Sequence, residues 1–266
     1  MTTRFLSFLF VVCCLLCAGA SLEAQRLGIG GFKLKKFGAS IGQDQDMLGD
    51  MSANYFISTA REGTLEQDYS QLNLDPSYVS SMICENPHLR LNLTWENEQI
   101  SNLEFGTNLV LITGRIDQMS FRTPDYENHL RISQYSNEVV LEPTLGWRMG
   151  RGAFNLTGIV GANLGYHWGD MILYGDVTRC GDDGIKLRSG DMAAGCESIR
   201  VYENAPISQG ISTRLFAEAK ASFQIARRLE MGVHIRRGAG LRMAGGARTQ
   251  TTALHSGGVS MAWVLR

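Results

Sequence analysis

The sequence predicts an all-β fold: a closed antiparallel up-and-down transmembrane β-barrel of about eight strands, with long outer loops and short periplasmic turns. Three observations predict it. Apolar residues fall on every second position through long segments, so each segment has one greasy and one polar face when extended. The links between these segments are alternately short and long. After the first ~24 residues no stretch approaches the ~20 consecutive apolar residues of a membrane helix, which excludes a helical membrane protein but not a barrel.

The chain of 266 residues opens with the three-part layout of a secretory leader. Arg4 supplies the positive start, Phe5 to Leu16 form the apolar run, and the small residues Ala18, Gly19 and Ala20 follow, with a second cleavage point after Ala24. The run is too short to span a bilayer. Cys17 follows Leu15 and Leu16, where a lipoprotein signal needs small residues. The expectation is a cleaved signal peptide over 1–24, Sec export, and a single barrel domain over 25–266 in a Gram-negative outer membrane.

The first strand is expected near Gly31 to Ser40. The second carries Leu89, Leu91, Leu93 and Trp95 on one face, and the third Leu103, Phe105, Leu109 and Leu111. The fourth places Val139, Leu141, Pro143, Leu145 and Trp147 together. The fifth is the clearest: Phe154, Leu156, Gly158, Val160, Ala162, Leu164, Tyr166 and Trp168 alternate with Asn155, Thr157, Ile159, Gly161, Asn163, Gly165 and His167. The sixth runs through Leu215 and Phe223, the seventh through Leu229 and Ile235, and the last through Val259, Met261, Trp263 and Leu265. Tight links fall at Glu96–Gln99, Gly150–Gly152 and Ala226–Arg227, and long ones at about 43–87, 117–136, 170–207 and 244–251. Within the first long link, Met51 to Thr59 is expected to extend a strand and Leu72 to Met82 to form a short helix.

Alternation alone leaves open which face is inside. The aromatics decide for a membrane barrel, because Trp95, Trp147, Phe154, Phe223 and Trp263 would mark one rim and Tyr166 and Trp168 the other, as interfacial girdles do. The polar faces mix signs. Glu104, Glu142, Glu218 and Glu230 are expected to meet Arg148, Arg214, Lys220 and Arg236, with Arg90 and Arg228, in a packed polar lumen. An eight-stranded barrel has room for filling side chains and little else.

The net charge of −1 provides no field to attract nucleic acid. Three cysteines survive cleavage, Cys84, Cys180 and Cys196, in a compartment where disulfides persist. A Cys180–Cys196 bridge would stiffen the third long link, and pairing of Cys84 with either is the alternative. Asp182, Asp183 and Asp191 match no calcium-loop spacing, so no metal and no cofactor are expected. His167 and His234 fall on lumen faces without ligand spacing and are expected as hydrogen-bonded filler. No catalytic residues are expected: the His-x-Ser pair of outer-membrane deacylases does not occur.

The segment Val140 to Arg148, with its Pro143 and later Trp147, resembles the outer-membrane β-barrel proteins of Bacteroidetes, PorT-like proteins among them. The closing hairpin Leu229 to Trp263 and a leader ending before Ala24-Gln25 add to the resemblance, which extends more loosely to OmpA/OmpX-type eight-stranded barrels. Such barrels usually end in an aromatic residue, whereas this chain ends Trp263-Val264-Leu265-Arg266. The resemblance implies a barrel but no particular activity. The expected role is structural, adhesive or export-assisting. Its partners would be outer-membrane lipid and, through the loops of a monomer, a cell-surface or envelope protein. A narrow pore or small-ligand barrel is the alternative. An outer-membrane hydrolase or a soluble lipocalin-like barrel ranks below both.

Overall fold

The structure is a computed structural model that describes residues 28–29, 31–48, 52–67, 69, 78–150, 152–181, 184–188, 190–245 and 249–265. The expected leader lies outside these residues, as do Asp182 and Asp183. The elements are β1 (Gly28–Ile29), β2 (Phe32–Leu48), α1 (Ala53–Ser58), β3 (Val79–Asn97), β4 (Leu103–Arg122) and β5 (His129–Met149). They continue with β6 (Phe154–Cys180), β7 (Ile185–Lys186), β8 (Cys196–Pro206), β9 (Gly210–Ala226), β10 (Leu229–Ala244) and β11 (Gln250–Val264).

Eight strands form a ring in the order β2, β11, β10, β9, β6, β5, β4, β3, and β3 pairs back onto β2. Every ladder in the ring is antiparallel. Closure matters because in hydrocarbon each backbone N–H and C=O must find a partner within the protein. The chain is therefore a transmembrane β-barrel, and each sequence-predicted membrane segment falls on a ring strand, with only Gly31 and Leu265 lying one residue beyond β2 and β11.

Along β6 the outer positions Leu156, Val160, Leu164 and Tyr166 are exposed, while Asn163 and His167 between them are buried. The same holds on β10, where Met231, Val233 and Ile235 are exposed and Glu230, His234 and Arg236 are buried. Exposed apolar and buried ionic side chains are the reverse of a water-soluble barrel. They fit a lipid-facing wall around a polar interior.

The ring strands run well past the lipid-facing belt, which corrects the expected loops at 117–136 and 170–207. β4 and β5 extend until only 123–128 remain as their link, and β6 continues to Cys180 and folds back as β8. Beyond the belt, polarity reverses. On β6 the inward positions become Met171, Leu173 and Val177, all fully buried, while Tyr174 faces outward. On β4 and β5 the inward side chains become Met119, Phe121, Leu130 and Ile132. Extended backbone outside lipid must bury its apolar face inward like any soluble sheet, so the greasy face changes sides along one strand. β4 also changes phase, through a register irregularity between Ile112 and Arg115 that contains Gly114 at φ 71°. A left-handed glycine is the residue that such a bulge requires.

A further correction concerns the first long link. Of the segment Met51 to Thr59, expected to extend a strand, the described residues 52–59 hold α1 instead, capped by Ser52, whose Oγ accepts from the Tyr55 N–H at 3.2 Å. Tyr55 and Phe56 are adjacent and both buried, which a helix lying on a surface permits and an alternating strand does not. Residues 79–82 of the expected helix belong to β3, and 72–77 lie outside the described residues.

Candidate functional site

The interior holds three tiers of charge, stacked from the short-turn rim to the long-loop rim. Nearest the short turns, Lys36 Nζ lies 2.9 Å from Glu230 and 3.7 Å from Glu104. Lys220 approaches Glu230 at 3.8 Å, and Arg148 reaches Glu104 at 3.3 Å and also pairs with Glu96. The register places Glu104 on β4 opposite Glu96 on β3, so a cation from a third strand, Arg148 of β5, separates the like charges.

In the middle tier Arg236 bridges two carboxylates, donating to Glu142 at 2.7 Å and to Glu218 at 2.8 Å. Its guanidinium also lies 3.7 Å over the Phe216 ring. Arg90 faces the same pair of carboxylates, 3.3 Å from Glu142 and 3.7 Å from Glu218, and Asn108 donates to Glu142. His234 meets Arg90 at 3.4 Å, and His88 lies 3.0 Å from Asp44. A bidentate guanidinium between two acids is the arrangement that buried charge demands, because an unpaired ion there is strongly unfavourable.

In the third tier the sequence puts Arg214 and His167 on lumen faces but does not single out Arg115, Asp117, Glu138 or Arg242. Arg115 donates to Asp117 at 2.7 Å and lies 3.7 Å from Glu138. Arg214 approaches Glu138 at 3.6 Å, and Ser212 donates to the same carboxylate. Arg242 donates to Asp117 at 3.0 Å and, more weakly, to His167. Arg115 and Asp117 fall within the segments expected as loop or strand end. The available signal was phase: Arg242 continues the inward set of Glu230, His234 and Arg236. Arg228, by contrast, is exposed in the β9–β10 turn and stays outside the tiers.

Between the lower tiers a cavity of about 60 Å³ remains, lined by Lys36, Arg90, Glu104, Glu218 and Glu230. That is room for a few water molecules. Above the tiers the mouth is filled by an apolar cap. Phe56 and Tyr55 of α1 pack with Met119, Phe121, Leu130, Ile132, Met171 and Leu173. The link carrying α1 is fastened across the mouth. Thr59 accepts from Gln134, Ala60 bridges to Ile207, and Glu203 accepts from the Glu66 and Gln67 N–H groups and the Tyr69 hydroxyl. Burial and the Glu203 carboxylate push the Tyr69 phenol well above its ordinary range, so it remains a donor.

Of the expected girdle, Trp147, Phe154, Phe223, Trp263, Tyr166 and Trp168 are exposed on the outer wall. Trp95 shares that wall, opposite Leu34 and Phe105, but is covered by them and by Leu265. Cys180 and Cys196 are cross-strand partners on β6 and β8 and are joined by a disulfide, while Cys84 lies opposite Asp117. Among the described residues no cluster of His, Cys, Asp and Glu could hold a metal ion.

Above the belt, β3, β4, β5, β6 and β8 form a sheet whose inner face is the cap. Its outer face bears Arg131 opposite Tyr174 and Tyr174 opposite Tyr202, with Tyr135 farther down. The Tyr174 ring lies 5.9 Å from His129 and 6.5 Å from Tyr202. Arg200 donates to Asp176 at 2.9 Å beside them. In the described ladders β8 pairs only with β6.

No protein-family model and no curated protein sequence matches the chain. Among solved structures it is similar to Neisserial surface protein A, at 9% identity over 88% of this chain and 97% of that one, with a TM-score of 0.39. It is also similar to OprG from Pseudomonas aeruginosa, at 12% identity over 90% and 100% of the two chains, with a TM-score of 0.38. The attachment invasion locus protein Ail of Yersinia pestis follows at 10% identity over 87% and 99%, with a TM-score of 0.35. All three are eight-stranded outer-membrane barrels. What makes this chain a barrel is its own closed ring of ladders, independent of these likenesses.

Proposed function

We propose that the chain is a monomeric outer-membrane protein of a Gram-negative cell, exported by its leader, whose role is interaction at the cell surface through the sheet above the belt. One contrast carries this reading. The lumen is filled by ionic tiers and shut by an apolar cap, while the outer face of the sheet displays tyrosines and arginines with no cover. Tyr and Arg dominate binding hot spots because they give large contact area and directed hydrogen bonds at modest entropic cost.

Photo-crosslinking in intact cells tests it. A benzophenone side chain at Tyr202 or Tyr174 is expected to capture a defined protein or polysaccharide, and one at Val160 only lipid. Capture of lipid alone from all three positions would contradict the reading. A narrow pore is the competing function, and the tiers and cap oppose it.

A further inference from the structure

Resting on the transmembrane reading, the outer wall carries a charge that the barrel itself does not answer. Arg236 points inward to Glu142 and Glu218, so alternation sends Arg237 out to lipid, where it is exposed. On the same face of β10 it stands between Ile235 and Ala239, with Leu241 beyond. At the usual rise and tilt of barrel strands it sits about 15 Å above the level of Met231 and about 10 Å below that of Leu241. No described side chain hydrogen-bonds to it or pairs with it. Its cross-strand neighbours are Ala217 on one side and His255 on the other, and His255 in turn lies opposite Gln45.

The second observation is the surface next to it. A groove of about 710 Å³ runs across the strands from Phe105 past Leu145, Val160, Leu215 and Ala217 to Arg237. It follows one row of register partners: Phe105 opposite Leu145, Leu145 opposite Val160, Val160 opposite Ala217, Ala217 opposite Arg237. The small side chain of Ala217 keeps its floor low, and Leu145, Val160 and Leu215 stand above it. An apolar trough ending at an unpaired guanidinium, with an imidazole and an amide in line behind it, has the chemistry of a chain-plus-phosphate ligand.

We propose that this row is a binding site for an anionic glycerophospholipid, with an acyl chain in the groove and the headgroup phosphate on Arg237, assisted by His255 and Gln45. An exposed arginine in the belt is otherwise costly, and a phosphate drawn to it, with the side chain reaching toward the interface, offsets that cost.

The full chain, refolded from urea into detergent micelles and so free of co-purified lipid, tests this by native mass spectrometry. It is titrated with dioleoyl phosphatidylglycerol or dioleoyl phosphatidylcholine at about 0.15 M salt. The wild type is expected to retain phosphatidylglycerol about fivefold better, the effect of one basic residue at an anionic surface. Arg237→Leu, or Arg237→Gln should the first not fold, abolishes the preference. Ala217→Phe, which fills the groove, lowers retention of both lipids. An undiminished preference in the Arg237 variants would overturn the site. Displacement of the lipid by inorganic phosphate would overturn its lipid character, and retention of lipid A but not phosphatidylglycerol would overturn the choice of lipid. A heat-dependent shift in gel mobility, expected for wild type and variants alike, separates these outcomes from failure of the barrel reading itself, in which wild type shows no shift.

Discussion

At the scale of single residues, the interior is decided by pairing. Arg236 touches two carboxylates and an aromatic ring at once. Removing it leaves Glu142 and Glu218 facing each other with only Arg90 between them. Arg236→Met is therefore expected to destabilise the barrel by about 3–5 kcal/mol, and adding Glu142→Leu to recover part of that loss. Urea unfolding from lipid vesicles measures both, and equal stability of the single variant and wild type would contradict the bridge. On the other face, Val160 is 57% exposed. Val160→Arg should cost about 2–4 kcal/mol in the same assay, the depth-dependent cost of a cation on a lipid-facing strand, whereas Val160→Leu should cost almost nothing.

At the scale of elements, the lesson lies in β6. Its lower half was legible from Phe154 to Trp168 because the greasy face is continuous there. The upper half was not, because at Asp170 and Met171 the apolar face moves to the other side while the strand runs on. A reading that follows one greasy face ends the strand where the membrane ends. The same inversion hid the extensions of β4 and β5 and, with them, Arg115 and Asp117. Most residues of the two lower tiers were legible because they alternate with lipid-facing Leu, Val and Met; Lys36 was not, on a first strand without clear alternation, nor were His88 and Asp44, at the edge of or within the expected first long link. Which cation meets which acid was not, since that depends on strands distant in sequence. The β6–β8 hairpin stands outside the lipid, with a disulfide spanning 16 residues. Reduction, or Cys180→Ser with Cys196→Ser, should loosen it by ~3 kcal/mol in the chain-entropy description and speed amide exchange along the upper part of β8 roughly a hundredfold. The urea midpoint of the ring should stay unchanged, because the hairpin opens locally. A lowered midpoint would show that the hairpin and the ring unfold as one.

At the scale of the whole molecule, the barrel is a lipid-facing cylinder around ionic tiers, surmounted by a sheet with its own apolar core. A filled lumen predicts no steady single-channel current in planar bilayers, and a steady ohmic conductance would favour the pore reading. The central claim, that alternate side chains face acyl chains and ionic tiers, is tested most directly by spin labels placed one at a time from Leu156 to Gly165. The experiment uses protein in vesicles whose Cys84 is replaced by Ala and whose disulfide is intact. Labels at 156, 158, 160, 162 and 164 are expected to be mobile and relaxed by dissolved oxygen, and those at 157, 159, 161, 163 and 165 to be immobile and shielded. The opposite phase, or no two-residue period at all, would contradict it.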